Sequence, residues 1–225
     1  MREIVVLAPV LARPQRVLPL MASFAQAGGP CRLLFIASPE DVEEQAALRD
    51  AGADFLITGW NSEHADYARK INWGVTQTTE PWIFNAADDL HFHPGWWSQA
   101  LGVAEATGKR VIGTSDLGNA EVESGLFSTH LLFARSYVEE CGTLDEPGKI
   151  FSEVYDHNWI DREAVTTAVS RDEFAFAKMS VVEHLHFHWG KGPGEDATYQ
   201  KGLRNFGHDR QRYLQRMTEA GLPWR

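Results

Sequence analysis

Two cysteines, Cys31 and Cys141, are all that the 225-residue chain carries. That is too few for a disulfide framework or a Cys-rich zinc site, and it fits a reducing, cytoplasmic setting with both thiols expected inside as small apolar residues. Long apolar runs are missing too. The stretch IVVLAPVL from Ile4 is too short for a membrane span and stops at Arg13-Pro14. It lacks the basic lead and small-residue cleavage site of a signal peptide, so it is expected to be a first strand, with no membrane partner. Positive charge is scarce: 21 Lys and Arg face 31 Asp and Glu, a net charge of −10. This argues against broad, charge-driven binding to duplex DNA, but not against a local basic pocket for a nucleotide. There are no repeats, low-complexity segments or obvious linkers. With 44% hydrophobic and 23% charged residues, the chain reads as one globular domain over residues 1–225.

What is present is an alternation of strand and helix. Strands are expected at Ile4–Ala8, Leu33–Ala37, Phe55–Thr58, Trp82–Asn85 and Val111–Thr114. Helices are expected between them: Val17–Ala27, a segment opened by a capping Ser38 and ending near Ala51, Asn61 to about Val75, and Gly95–Thr107. This pattern is the signature of an α/β fold with a mostly parallel central sheet flanked by helices. The second half is less regular. Strands are expected at His130–Ala134 and Val181–His188, and helices at Glu153–Ala168 and Ala197–Ala220, the last with a basic face carrying Arg204, Arg210, Arg212 and Arg216.

Two stretches carry the chemistry. ADDLHFHPGWW from Ala87 sets Asp88 and Asp89 just past the carboxyl end of a strand, where ligands bind in open α/β sheets. Paired carboxylates there can hold Mg2+ or Mn2+, or can simply cap a turn before Pro94-Gly95. VVEHLHFHWGKG from Val181, read as a strand, points His184, His186 and His188 to one side, since residues two apart share a face. Three imidazoles on one face suit a metal site better than a core. Trp96 and Trp97 fit either a sugar's C–H face or the core.

The order of elements resembles the glycosyltransferases of the GT-A type, in particular the inverting family-2-like enzymes and their small phage-encoded relatives. The resemblance is carried by the strand ending at Pro9 with Arg13 nearby and by Tyr67-Ala68-Arg69-Lys70-Ile71-Asn72-Trp73-Gly74. It also runs through Trp82 to Asp89, through Phe133-Ala134-Arg135, and through Gly142-Thr143-Leu144-Asp145-Glu146. It departs from the family at the acidic motif. The usual Asp-x-Asp would need an acid at Ala86, so the motif is reduced to Asp88-Asp89 or becomes Asp89-x-His91.

The resemblance implies a sugar transfer from a UDP- or GDP-sugar to an acceptor hydroxyl, inverting, with Mn2+ or Mg2+ as cofactor. Residues 1–115 would form the nucleotide-binding half, and residues 116–225 the acceptor half with the C-terminal helix. Asp89 and His186 are expected on the metal, with His184, His188 and His91 in reserve. Pro9, Arg13, Lys70, Asn72, Asp88 and Lys191 are expected on the nucleotide sugar. Departure of the diphosphate develops negative charge, which a cation and Lys191 in Gly-Lys-Gly would offset. The acceptor needs a general base, and Asp161, then Asp156 and Glu163, are the candidates. On a helix Asp156 and Glu163 would share a face and Asp161 would point away from both. The acceptor is left open among protein, glycan, small molecule and modified base. Competing readings are a nucleotidyltransferase, a metal-dependent hydrolase and a non-catalytic sugar- or nucleotide-binding protein. The first is disfavoured because APVLARPQR after the first strand has no glycine. The second is disfavoured because the first strand offers no Asp or His.

Overall fold

The computed structural model describes residues 2–192 and 194–224. Strand β1 (Ile4–Pro9) is buried along its whole length and pairs in parallel on both sides, with β2 (Cys31–Ala37) and β4 (Trp82–Asn85). A run of β-branched and aliphatic side chains with no polar face belongs in such a doubly covered strand. The short β3 (Phe55–Ile57) extends the parallel half beyond β2. The full order is β3-β2-β1-β4-β7-β6-β8-β5, an eight-stranded sheet of an α/β domain. Here β5 is Leu90–Phe92, β6 Val111–Ser115, β7 Leu131–Ala134 and β8 Phe174–His184. Strand β7 runs antiparallel between β4 and β6, while β6 and β8 are parallel.

Helices pack on both faces: α1 (Val17–Ala27), α2 (Val42–Asp50), α3 (Asp66–Thr76), α4 (Trp96–Thr107), α5 (Ala120–Glu123), α6 (Arg135–Glu140), α7 (Ile160–Ser170), α8 (Ala197–Leu203) and α9 (Phe206–Glu219). Among the described residues, no helix is long and apolar enough to cross a membrane.

Several expectations are corrected. The cap of α2 is Asp41, whose carboxylate accepts from the Glu44 amide at 3.2 Å, while the Ser38 hydroxyl is buried without a partner. Helix α3 begins at Asp66, because Ala65 takes a left-handed conformation. The helix expected from Glu153 begins only at Ile160, so Asp156 lies in a loop and the shared face with Glu163 does not exist. The C-terminal helix is broken into α8 and α9. Both cysteines are unpaired and half-buried, and burial pushes the Cys31 thiol up to about 12.

The largest correction concerns the histidines. Strand β8 starts at Phe174 and ends at His184, so His186 sits in the turn after it and His188 in a short 3-10 turn. The three imidazoles therefore do not share a strand face. What β8 does instead is bend. Its register with β6 jumps from Thr114↔Ala177 to Ser115↔Val181, and past that irregularity its end pairs antiparallel with β5, His184 opposite Leu90. This irregularity re-aims the strand, as bulges do, and it brings the late histidine beside the acidic pair.

Trp96 is fully buried against Phe84 and Phe92, with ring centroids 4.9 and 5.0 Å away. It is a core residue, not a sugar platform. Trp96→Ala is expected to cost about 3–5 kcal/mol of stability, read by urea denaturation, as for other large aromatic truncations.

Candidate functional site

Asp88 and Asp89 lie in the turn between β4 and β5, only 9% and 6% exposed. Two carboxylates cannot be buried side by side without compensation, and the chain supplies it from three directions. From the loop after β1 come Arg13, with Nη1 3.0 Å from Asp88 Oδ1, and Arg16, with Nη1 3.3 Å from Asp88 Oδ1 and 3.2 Å from Asp89 Oδ2. From the end of β8 comes His184, with Nε2 3.3 Å from Asp89 Oδ1. From α8 comes Tyr199, whose hydroxyl donates to Asp89 Oδ2 at 2.6 Å.

Local sequence explains the placement. The loop after β1 is tied to α2: the Ala12 amide donates to Asp41 Oδ2 at 2.6 Å, and the Arg13 amide to the buried Glu44 carboxylate at 2.8 Å. On the other side, the Leu185 amide donates to the Asp89 carbonyl at 2.8 Å and the His184 amide to the Asp116 carbonyl at 3.2 Å. The backbone thus fixes the acid pair and His184 relative to each other.

The electrostatics follow from these contacts. Burial opposes charge on Asp89, but His184, Tyr199 and Arg16 hold its carboxyl well below the usual range. Burial and the adjacent Asp89 push Asp88 up, against the pull of Arg13 and Arg16. Burial works against a charged His184, yet Asp89, Asp116 and Asp88 outweigh it and raise the imidazole above its ordinary value. His130, 3% exposed, stacks edge-on to His184 with centroids 5.0 Å apart. Burial and His184 push it down to about 3. Its Nδ1 donates to the Asn85 carbonyl at 3.2 Å, and its buried Nε2 has no partner.

Asp88, Asp89, Arg13, His130, His184 and Tyr199 border a cavity of about 650 Å³, large enough for a nucleotide sugar. Of the expected residues, Pro9, Arg13, Lys70, Asp88, Asp89, Asp156, Asp161 and His186 line it. Lys70 is buried and committed to Asp66 at 2.8 Å and the Val10 carbonyl at 3.0 Å. His186 packs edge-to-face against Tyr199 with centroids 4.4 Å apart, and burial with His184 pushes it down to about 4. Asp161 sits in the first turn of α7, two residues after Trp159, which takes a left-handed backbone (φ 68°). Burial raises its carboxyl, against the pull of the Arg162 amide and charge.

Other expected residues stand apart from the cavity lining. Asn72 is spent on backbone, accepting from the Ile150 and Phe151 amides at 2.9 and 3.1 Å. Lys191 pairs with Glu183 at 2.6 Å and the Leu117 carbonyl at 3.0 Å. Glu163 accepts from Tyr155 at 2.6 Å and pairs with Arg216 at 2.7 Å. His91 sits in β5 opposite Glu183, with its ring 5.1 Å from His93. His188 donates its amide to His186 Nδ1 at 3.2 Å.

Arg16, His130, Asp196 and Tyr199 were not anticipated. An arginine three residues after Arg13 in a short turn was the available signal for Arg16. Nothing in sequence spacing linked residues 196 and 199 to residue 89.

The donor set suits a divalent cation. Ligand atoms of a six-coordinate ion, at about 2.1 Å and right angles, lie about 3 Å apart. Asp89 Oδ1 and His184 Nε2, 3.3 Å apart, come close to that. A second group, Asp156, His208 and Asp209, has potential ligand atoms within 4.8 Å of one another. There, however, Asp209 already accepts from the Asp156, His157 and Asn158 amides at 3.0, 3.0 and 2.9 Å.

No family model and no curated protein matches the sequence. Solved structures do match the fold. A mannosyltransferase from Pyrobaculum calidifontis, in complex with GDP-Man and Mn2+, aligns at TM-score 0.62 and 11% identity over 82% of this chain and 57% of its own. Glucosyl-3-phosphoglycerate synthase from Mycobacterium tuberculosis, with Mn2+, UDP-Glc and phosphoglyceric acid, aligns at TM-score 0.65 and 13% identity over 99% and 81%. TarS of S. aureus, in complex with UDP, aligns at TM-score 0.60 and 9% identity over 80% and 59%. The chain spans a little over half the length of the mannosyltransferase and TarS chains. The fold is that of the GT-A type, as the resemblance implied.

His184→Ala is expected to weaken Mn2+ binding about tenfold or more, with His186→Ala the milder change, both read by calorimetric titration. Because His184 must be neutral to serve as a ligand and its pKa is raised, Mn2+ affinity should fall as pH drops through a value above the ordinary 6.5 or so.

Proposed function

We propose that the protein is a metal-dependent glycosyltransferase that moves a sugar from a UDP- or GDP-sugar to an acceptor hydroxyl with inversion. The observation that carries this reading is the meeting of Asp89 and His184, an early carboxylate and a late imidazole, in a nucleotide-sugar-sized cavity that Asp161 also lines. The solved structures of the same fold that hold Mn2+ with GDP-Man or UDP-Glc support it.

In this reading residues 1–115 bind the donor and residues 116–225 the acceptor. Asp89 and His184 are the ligands of Mn2+ or Mg2+; His186, on the cavity wall, is a further candidate. The bound cation would neutralise charge that develops on the departing diphosphate. Pro9, Arg13, Lys70 and Asp88 line the donor side. Lys70, buried and neutralised by Asp66, shapes the wall rather than meeting phosphate. Asn72 and Lys191, outside the lining, support the donor half and the β8 turn respectively.

Asp161 is the base. A carboxylate inside the cavity, with its pKa raised by burial, takes a proton from an acceptor hydroxyl more readily than a solvated one. Asp156, held by His64, is the second candidate. Glu163, locked under Arg216 and Tyr155, steadies α7 against α9. The two unpaired cysteines fit a cytoplasmic site of action.

Thermal melts with a panel of UDP- and GDP-sugars are expected to show a rise for one donor that requires Mn2+ and is lost in Asp89→Ala. Asp161→Asn should keep that rise while lowering transfer about a hundredfold or more, read as product by mass spectrometry. A rise with metal alone and with no nucleotide would argue for a hydrolase instead.

A further inference from the structure

The two arginines beside the acid pair are already occupied. Asp196 makes a two-pronged contact with Arg13, Nε to Oδ2 at 2.9 Å and Nη2 to Oδ1 at 2.7 Å, and its Oδ2 lies 3.6 Å from Arg16 Nη2. Parallel N–H donors of one guanidinium on two oxygens is the geometry by which arginine also grips phosphate. The Tyr199 hydroxyl, which donates to Asp89 at 2.6 Å, accepts from both Arg16 Nη1 and Nη2 at 3.1 Å. Its ring lies 3.9 Å under the Arg13 guanidinium. Tyr199 lies in α8 and Asp196 is its N-cap; α8 contributes no buried residue to the fold. Before α8, Gly190 and Gly194 sit at φ 69° and 99°, backbone that can be re-aimed without a Cβ penalty.

We infer that Asp196 and Tyr199 are internal stand-ins for the ligands of this site. Asp196 holds the place of the donor's diphosphate on Arg13 and Arg16, and Tyr199 holds Asp89 in place of the cation. This rests on the donor reading above. The charges support an exchange. Arg13 and Arg16 now face Asp88, Asp89 and Asp196. A divalent cation with a dianionic diphosphate adds no net charge, so the carboxylates can pass to the cation and the arginines to the diphosphate. Asp196 is then released to solvent, where an exposed carboxylate is cheap. Diphosphate alone would meet Asp88 and Asp89 with no cation between them, and a cation alone would face Arg13 and Arg16 with no anion between them, so each is disfavoured until the other is present. The cluster thereby couples nucleotide binding to metal binding, and Asp196 must leave Arg13 and Arg16 for the diphosphate to reach them.

The test is calorimetric titration of UDP and of GDP into the wild type and Asp196→Asn, each with and without Mn2+. Asparagine keeps the N-cap of α8, whose side-chain oxygen accepts from the Tyr199 amide at 3.0 Å, and removes only the charge. Asp196→Asn is expected to bind the nucleotide at least tenfold more tightly without Mn2+, and to gain less from added Mn2+ than the wild type does. Equal or weaker nucleotide binding by Asp196→Asn, with the wild type binding normally, overturns the stand-in role and leaves the donor reading intact. No binding of either nucleotide by either protein, with Mn2+ present, overturns both. Tyr199→Phe gives an independent reading: it should strengthen binding of Mn2+ alone, and a weaker binding would place the hydroxyl among the ligands.

Discussion

Two adjacent carboxylates are buried at the end of a central strand, and much of the site's architecture answers their charge. An unpaired buried carboxylate costs several kcal/mol, so each element around Asp88 and Asp89 delivers a compensating group. The loop after β1 delivers two guanidinium groups, the bent end of β8 delivers an imidazole, and α8 delivers a phenol. The two acids also differ. Asp89, with the imidazole and the phenol, stays ionised, while Asp88 beside it is pushed up. The same asymmetry favours Asp89 over Asp88 as a ligand in the proposed cation site.

Packing and site are linked through one irregularity. Strand β8 is parallel to β6 over its first part and antiparallel to β5 at its end, with the register jump between. A straight strand would have left His184 far from Asp89. The tie between α2 and the loop after β1 does the corresponding work for the arginines, since buried Glu44 pins the Arg13 amide. The cores on the two faces of the sheet are aliphatic and aromatic. They fix these joints, and the chemistry sits on the loops they hold.

The parallel first half was legible because its strands are short β-branched and aliphatic runs separated by helices with clear stops. The expected elements there agree with the structure to within a few residues, apart from the late start of α3, but the short strand β5 (Leu90–Phe92) was not expected. The second half was less legible for physical reasons. Strand β7 is a continuous apolar run, which gives no hint of direction, and it runs antiparallel. The His184-x-His186-x-His188 pattern has the period of a strand, but the chain leaves the sheet at His184. The acidic pair was found because it follows an apolar strand directly. Asp161 was singled out by resemblance, and the cavity accommodates it. Arg16, Asp196 and Tyr199 reach the site only through tertiary contacts across more than seventy residues, which no local pattern encodes.

In the proposed site Asp89 and His184 hold the cation of a nucleotide sugar. Anomalous diffraction at the manganese edge, from crystals grown with Mn2+ and UDP, tests it most directly. One strong peak is expected within about 2.0–2.3 Å of Asp89 Oδ and His184 Nε2, beside the diphosphate. An empty acid pair, with the peak instead at Asp156, His208 and Asp209, would contradict it.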